Sequence, residues 1–264
     1  MNHRKAFWAL SGVAAAGAAI CIALSCSDQP PARCATGRGA WAAKYVQTSG
    51  PDAGACALQG EALFLQTYNP PPTELAPATV AIEGASMGAA LGQSAPDPDP
   101  SHTPYALGKF KDVYPGGDRF CDFASLTTAE QNVPEKPAEP PPADAGPDAE
   151  GMPAIPAVKI KYAWSNVRLY VTPSTPGTQL VGELTYSVDD CTATYHVQAL
   201  YPQVSCATAI DDAGTMGPDE TLCSPKEDPS KGRPVGSGIN PDLKVVCDPV
   251  LLMCVLPGDP PSLH

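Results

Sequence analysis

The chain has 264 residues and a formal net charge of −12 at pH 7, from 28 acidic and 16 basic side chains. Beyond Arg4 and Lys5 no cluster of basic residues occurs, so binding to nucleic acid or to an anionic lipid surface would be electrostatically opposed. The chain contains 32 Pro and 23 Gly but only 6% aromatic residues. This composition predicts a thin core, much irregular backbone and a need for covalent cross-links.

The first residues have the order of a bacterial export signal. A short basic stretch, His3 to Lys5, precedes an apolar run from Phe7 to Leu24, which ends at Ser25-Cys26. The run is rich in Ala and Gly and is less hydrophobic than a usual membrane span. Residues 1–25 are therefore predicted to be a signal peptide.

The segment around Cys26 resembles the lipobox of bacterial lipoproteins, in which a small residue, here Ser25, precedes the lipidated cysteine. Ala23 and Leu24 depart from the pattern, which prefers Leu and then a small residue. The resemblance implies acylation of Cys26 and attachment to a membrane through acyl chains, with residues 26–33 as a tether. Cleavage without lipid and an uncleaved anchor are the alternatives.

In residues 1–31 and in its composition the chain resembles the Ala/Pro/Gly-rich, Cys-containing envelope lipoproteins of Gram-negative bacteria. In that class Ser27, directly after the lipidated cysteine, is compatible with transport to the outer membrane. The resemblance implies an outer-membrane lipoprotein that faces the periplasm or the cell surface.

The cysteine count is even once the export segment is set aside. Of the ten cysteines, Cys21 is removed with the signal peptide and Cys26 receives the lipid. An even set in an exported chain predicts disulfides. No C-x-x-C motif occurs, so neither a metal site nor a cofactor is predicted. The disulfide candidates are Cys34, Cys56, Cys121, Cys191, Cys206, Cys223, Cys247 and Cys254.

In chain order, short strands are predicted through an N-terminal β region, residues 34–132. A Pro-rich segment, residues 133–156, contains little that could be buried and is predicted to be a linker or a disordered insert. A C-terminal β region, residues 157–264, follows. Five short strands are predicted in the N-terminal region and two near the end of the C-terminal region. They are Trp41–Gln47, Leu58–Tyr68, Thr79–Glu83, Phe110–Tyr114, Arg119–Phe123, Val245–Cys247 and Leu251–Leu256.

The clearest folding signal is a hairpin formed by Leu180–Val188 and Cys191–Ala199, with a turn at Asp189-Asp190. Apolar residues alternate along both segments, and the register that pairs Val188 with Cys191 keeps the apolar faces together. In this register Glu183 lies opposite His196. Cys191 cannot reach Cys206, because the strand carries the chain too far away; Cys121 is the expected partner.

A further strand begins at Val158 and alternates to Trp164, after which the phase shifts at Ser165-Asn166 and resumes at Val167. A β-bulge at the shift would keep both halves facing the core. Together the strands predict an all-β fold: an antiparallel sandwich or open barrel, stapled by disulfides and carrying long Pro-rich loops.

Two candidate catalytic groups are weak. Gly84-Ala85-Ser86-Met87-Gly88 matches the G-x-S-x-G elbow of α/β-hydrolases, but only Ala89–Leu91 separate it from Gly92, so a Gly/Ala/Ser loop is favoured. The pair Glu183–His196 is predicted to be a surface contact. His102, His196 and His264 lack metal-ligand spacing to one another.

The functional hypothesis is a lipid-anchored envelope protein that is not an enzyme and binds a protein or a glycan. One alternative is a lipid-anchored serine hydrolase that uses Ser86. The other is a structural component of an envelope assembly.

Overall fold

The computed structural model describes residues 32–71, 73–93, 95–141 and 151–264. The signal peptide and Cys26 lie outside these residues. Within the described part no helix is long and apolar enough to cross a membrane. The elements are β1 Gly39–Ser49, β2 Gly60–Tyr68, β3 Thr79–Gly84, α1 Ala85–Leu91, β4 Ala106–Phe110, β5 Phe120–Leu126, β6 Ala129–Val133, β7 Val158–Val171, β8 Pro176–Val188, β9 Cys191–Leu200, β10 Ala207–Ala209, β11 Met216–Pro218, β12 Val246–Asp248 and β13 Met253–Val255.

Nine antiparallel strands form one sheet in the order β5-β4-β3-β2-β1-β9-β8-β7-β6, and β5 also pairs with β7. This second pairing of β5 turns the sheet into a ring. Only three residue pairs, from Phe120–Tyr170 to Asp122–Arg168, make this closure, so the sheet is ringed without being a barrel. The predicted all-β, antiparallel and disulfide-stapled class is confirmed.

The β8–β9 hairpin has the predicted register. Val188 pairs with Cys191, Leu184 with Tyr195, and Glu183 with His196. Asp189 in the turn has φ +50°, a left-handed conformation that Asp tolerates better than most residues.

The predicted bulge in β7 is also present. The pairing of β7 with β8 shifts between Ser165 and Arg168, and Asn166 in between has φ +52°. Ile160, Trp164 and Leu169, on either side of the bulge, are all buried. The extra residue therefore keeps both halves of β7 on the core face.

Two predictions in the N-terminal region are wrong. The strand expected at Phe110–Tyr114 is instead Ala106–Phe110, because residues 111–119 form a turn in which Gly116 bonds to the backbone of Phe120 and Arg119. The loop expected after Gly84 is instead helix α1.

The interior of the ring is the main hydrophobic core, with Trp41, Leu63, Tyr162 and Tyr195 among its fully buried side chains. Helix α1 contacts β2, β3, β6 and β7, and Met87 is completely buried. The helix therefore packs across one opening of the ring.

All eight disulfide candidates are paired. Cys34–Cys121 and Cys56–Cys191 connect parts of the ring, and Cys206–Cys247 and Cys223–Cys254 lie within residues 203–264. The expected bond between Cys191 and Cys121 is wrong. Cys191 begins β9 beside the β1–β2 loop, whereas Cys121 pairs with Leu169 at the opposite end of the strands.

The ring has two different ends. At the tether end lie residues 32–38 and the connections β2–β3, β4–β5 and β7–β8. The backbone N–H of Cys34 donates to Val113 O (2.9 Å) and that of Gly37 to Gly177 O (2.9 Å). At the helix end lie α1, the β1–β2 loop and the β8–β9 turn. The strands separate these two surfaces.

Residues 203–264 (the C-terminal segment) pack against the outer face of β1, β8 and β9. Met253 and Val255 pack on Ala42, the Lys44 ammonium lies 2.9 Å from the Asp248 carboxylate, and Ser262 N–H donates to Gln179 (2.7 Å). The segment has its own small core around its two disulfides.

The Pro-rich segment opens from the β6–β7 hairpin. Beyond the pair Val133–Val158, isolated bridges join Lys136 to Ile155 and Glu139 to Met152. Residues 142–150 lie outside the described residues. Strands from both sides of the segment share one sheet, and its role as a linker or insert stays a prediction.

Candidate functional site

A buried carboxylate, Glu61, organises the helix end. Its side chain points from β2 into the ring and is 9% exposed. Oε1 accepts hydrogen bonds from the phenols of Tyr45 on β1 (2.9 Å) and Tyr162 on β7 (2.7 Å). Oε2 accepts one from the backbone N–H of Ser86 at the start of α1 (2.7 Å). Three donors from three elements thus satisfy one carboxylate.

The tyrosines around Glu61 remain protonated at neutral pH. Burial, together with the negative charge of Glu61, raises the pKa of Tyr45 and Tyr162 well above the usual value. The same two causes raise the pKa of Tyr186 to about 12. These phenols therefore act as hydrogen-bond donors, and none of them is available as a tyrosinate base.

The G-x-S-x-G segment has a strand-to-helix geometry. Gly84 ends β3 and α1 begins at the next residue, so Ser86 lies in the first turn of the helix. The Ser86 hydroxyl interacts with the phenols of Tyr162 and Tyr186. A Cβ on Gly84 would come within 2.7 Å of both Glu61 and the Tyr162 ring. Glycine is needed there so that the chain can pass close to the carboxylate.

A small groove lies beside Ser86, between α1, the base of the Pro-rich segment and the ends of β7 and β8. Its volume is about 370 Å³. Most of its lining is Ala, Ile, Val and Pro, and its polar groups come from Ser86, Tyr186 and Gln93. No lining residue is charged, so the groove suits an uncharged ligand with apolar groups.

His102, which the sequence did not single out as part of a pair, belongs to a carboxylate cluster. Its Nδ1 lies 2.7 Å from Asp97 Oδ2 and 3.1 Å from Asn132 Nδ2, and Asn132 N–H also donates to Asp97 (2.5 Å). The hydrogen bond to Asp97 raises the pKa of His102. Ser86 is not among the described partners of this histidine.

The Glu183–His196 pair lies on the outer face and has an additional partner. His196 Nδ1 is 3.0 Å from Glu183 Oε1, and its Nε2 is 2.6 Å from Asp259 Oδ1. Gln198 also donates to Asp259 (2.6 Å). Hydrogen bonds to Asp259 and Glu183 raise the pKa of His196. The histidine thus links the sheet to the C-terminal segment, and no sequence pattern predicted Asp259.

A second cleft, of about 420 Å³, lies where β5 and β7 separate beyond the three-pair closure of the ring. Its two cations are Lys111 and Arg168. Arg168 donates to Asp122 (2.7 Å) and to Asp118, and its guanidinium lies over the Phe120 ring. The Lys111 ammonium lies 3.6 Å from Asp122. Because both cations already pair with carboxylates, this cleft offers no unpaired positive charge for an anion.

The sulfur atoms of Cys206, Cys223 and Cys247 lie within 4.8 Å of one another. All three are in disulfides, so they offer no thiolate ligand to a metal ion.

Comparison with known proteins identifies the family. The MlpA family model matches residues 39–202, which is more than half of the chain. The chain belongs to the MlpA family. It is also 36% identical, over 108 residues, to a protein of Myxococcus xanthus named "Putative lipoprotein MlpA". This match covers 39% of the chain and 39% of the relative. No solved structure matches the chain.

The family match coincides with the ring. It begins at the first residue of β1 and ends two residues after β9, so the Glu61 network and α1 lie inside it. The C-terminal segment lies outside the match, and both of its disulfides join cysteines within the segment. No described disulfide crosses this boundary.

Proposed function

We propose that this member of the MlpA family is an exported lipoprotein, acylated on Cys26 and held in the outer membrane, with a binding role that is not enzymatic. The observation that carries the anchor is the apolar run that ends at Ser25-Cys26. The name of the Myxococcus xanthus relative supports it. The match covers 39% of that relative, so its name supports the anchor without carrying the proposal by itself.

The binding part of the proposal concerns the groove beside Ser86. Cys26 is eight residues before Cys34, and the Cys34–Cys121 disulfide holds the start of the domain at the tether end. The groove lies at the helix end, so the strands of the ring separate it from the tether end. A groove at the end opposite Cys34 is accessible to a partner in the envelope.

The lining favours a protein partner over a glycan. Ile155, Val158 and Val188 contribute branched apolar side chains, which suit an apolar side chain of a partner. Tyr186, the aromatic residue in the lining, is 3% exposed and offers no open ring face on which a sugar could stack. The hydroxyl of Ser86 and the amide of Gln93 would supply hydrogen bonds to the partner backbone.

The anchor is tested by Cys26→Ala. Only a thiol accepts the diacylglycerol, so we expect this variant to incorporate no labelled fatty acid and to show altered processing of the precursor. Cys21→Ala is the matched control and should be acylated like the wild type. Fatty-acid incorporation by Cys26→Ala would refute the assignment.

The groove is tested by Ala89→Arg, an exposed position in α1 where arginine is a good helix former. The long side chain should fill the groove, and cross-linking in intact envelopes followed by purification should show at least a tenfold loss of the partner captured by the wild type. Ala213→Arg, in the exposed β10–β11 loop, is the control. If Ala89→Arg captures the same partner in the same yield, the groove is not the binding site, and a structural role in an assembly is favoured.

The serine-hydrolase alternative has one observation in its favour, the strand-to-helix geometry at Ser86. A hydrolase would need a general base at the hydroxyl. The described partners of the Ser86 hydroxyl are the protonated phenols of Tyr162 and Tyr186, whereas Glu61 accepts from the backbone N–H of Ser86. We therefore expect a fluorophosphonate probe to leave the wild-type protein unlabelled. Labelling that disappears in Ser86→Ala would establish the hydrolase instead.

A further inference from the structure

Three apolar side chains are exposed at the tether end, the end at which the chain enters the domain. They are Tyr68 (55% exposed), Leu75 (66%) and Tyr114 (39%). Single exposed hydrophobic residues are normal on soluble proteins, so exposure alone does not indicate a binding surface. What the three share is their position at the tether end: Tyr68 ends β2, Leu75 lies between β2 and β3, and Tyr114 lies between β4 and β5.

Hydrogen bonds join the chain neighbours of Tyr114 and Tyr68 to residues 34–36. Tyr114 follows Val113, whose carbonyl accepts from the backbone N–H of Cys34 (2.9 Å). Tyr68 follows Thr67, whose hydroxyl accepts from the backbone N–H of Thr36 (3.2 Å) and lies 2.7 Å from its hydroxyl. Leu75 lies in the loop that runs from Tyr68 to β3.

The chain between the lipid and this surface is short. Cys26 and Cys34 are eight residues apart, and a fully extended chain of that length spans at most about 28 Å. The Cys34–Cys121 disulfide prevents the anchor point from moving along the domain. Once Cys26 is acylated, the tether end is the part of the domain that the tether holds nearest to the bilayer.

The charge at this end permits close approach to lipid headgroups. Residues 32–38, 69–78, 111–119 and 172–175 contain three acidic side chains, Glu74, Asp112 and Asp118, and four basic ones, Arg33, Arg38, Lys111 and Arg119. The C-terminal segment also reaches this end, where Asn240 donates to Ser174 O (2.5 Å), and Asp242 and Lys244 add one charge of each sign. The net charge of −12 of the whole chain therefore comes from other parts of the molecule, and the repulsion expected from an anionic surface is weakest here.

We propose that the tether end docks on the lipid bilayer, with Tyr68, Leu75 and Tyr114 placed in the headgroup and upper acyl region. Tyrosine suits this interface because its ring is apolar and its hydroxyl can remain hydrated. Leu75 supplies an apolar contact at the tip of its loop. The inference rests on the proposed acylation of Cys26. It implies that the domain contacts the bilayer surface directly and is not attached to the membrane by the tether alone.

The test uses the full acylated chain in vesicles of phosphatidylethanolamine and phosphatidylglycerol whose acyl chains carry bromine, which quenches tryptophan fluorescence on contact. Tryptophan is introduced as Leu75→Trp, and the matched control is Asp190→Trp in the exposed turn at the helix end. The native Trp41 and Trp164, at 0% and 7% exposure, provide a background common to both variants. We expect the added fluorescence of Leu75→Trp to be quenched at least threefold more than that of Asp190→Trp.

The mass of the N-terminal peptide shows whether Cys26 is acylated, so a failure of the anchor can be distinguished from a failure of the docking. A chain without acyl groups overturns the proposed function, and the docking with it. An acylated chain in which Leu75→Trp and Asp190→Trp are quenched equally overturns the docking alone. Greater quenching of Asp190→Trp would mean that the helix end faces the bilayer, which also overturns the docking.

Discussion

The structure depends on one buried carboxylate. Removing Glu61 from water costs several kcal/mol unless hydrogen bonds replace its hydration, and the ring supplies Tyr45, Tyr162 and the Ser86 N–H at the same time. These donors come from β1, β7 and α1. The requirement also fixes the register of β2, since a slip of one residue would turn Glu61 outward and Ala62 inward.

The position of α1 at the helix end depends on the same hydrogen bonds to Glu61. Helix α1 has only seven residues and no side-chain cap at its N-terminus, so its own hydrogen bonds give it little stability. The bond from Ser86 N–H to Glu61, together with the burial of Met87, holds it across the opening. The groove proposed as the binding site has α1 as one wall. The binding surface thus depends on a polar contact inside the ring, while the opposite end carries the anchor.

Local sequence patterns were sufficient to predict part of this fold. Alternation along the chain predicted the β8–β9 register and the bulge at Asn166, because neighbouring residues determine both. The position of α1 and the closure of β5 on β7 were not predictable, since they depend on residues far apart in sequence; Glu61 and Tyr162 are 101 positions apart. The partner of Cys121 and the second partner of His196, Asp259, escaped prediction for the same reason, and so did the groove, which needs α1 as a wall.

The stabilising role of the hydrogen bond between Tyr162 and Glu61 is measured by a double-mutant cycle on the free energy of unfolding with Glu61→Met and Tyr162→Phe. Methionine keeps the length of the side chain and removes both acceptors. Tyr162→Phe should then be costly in the wild-type background and nearly neutral beside Glu61→Met, with a coupling energy of at least about 1 kcal/mol. Ser187→Ala, on the outer face, should be additive with Glu61→Met within about 0.5 kcal/mol. Additivity of Glu61→Met with Tyr162→Phe would show that the buried carboxylate does not stabilise the fold through Tyr162.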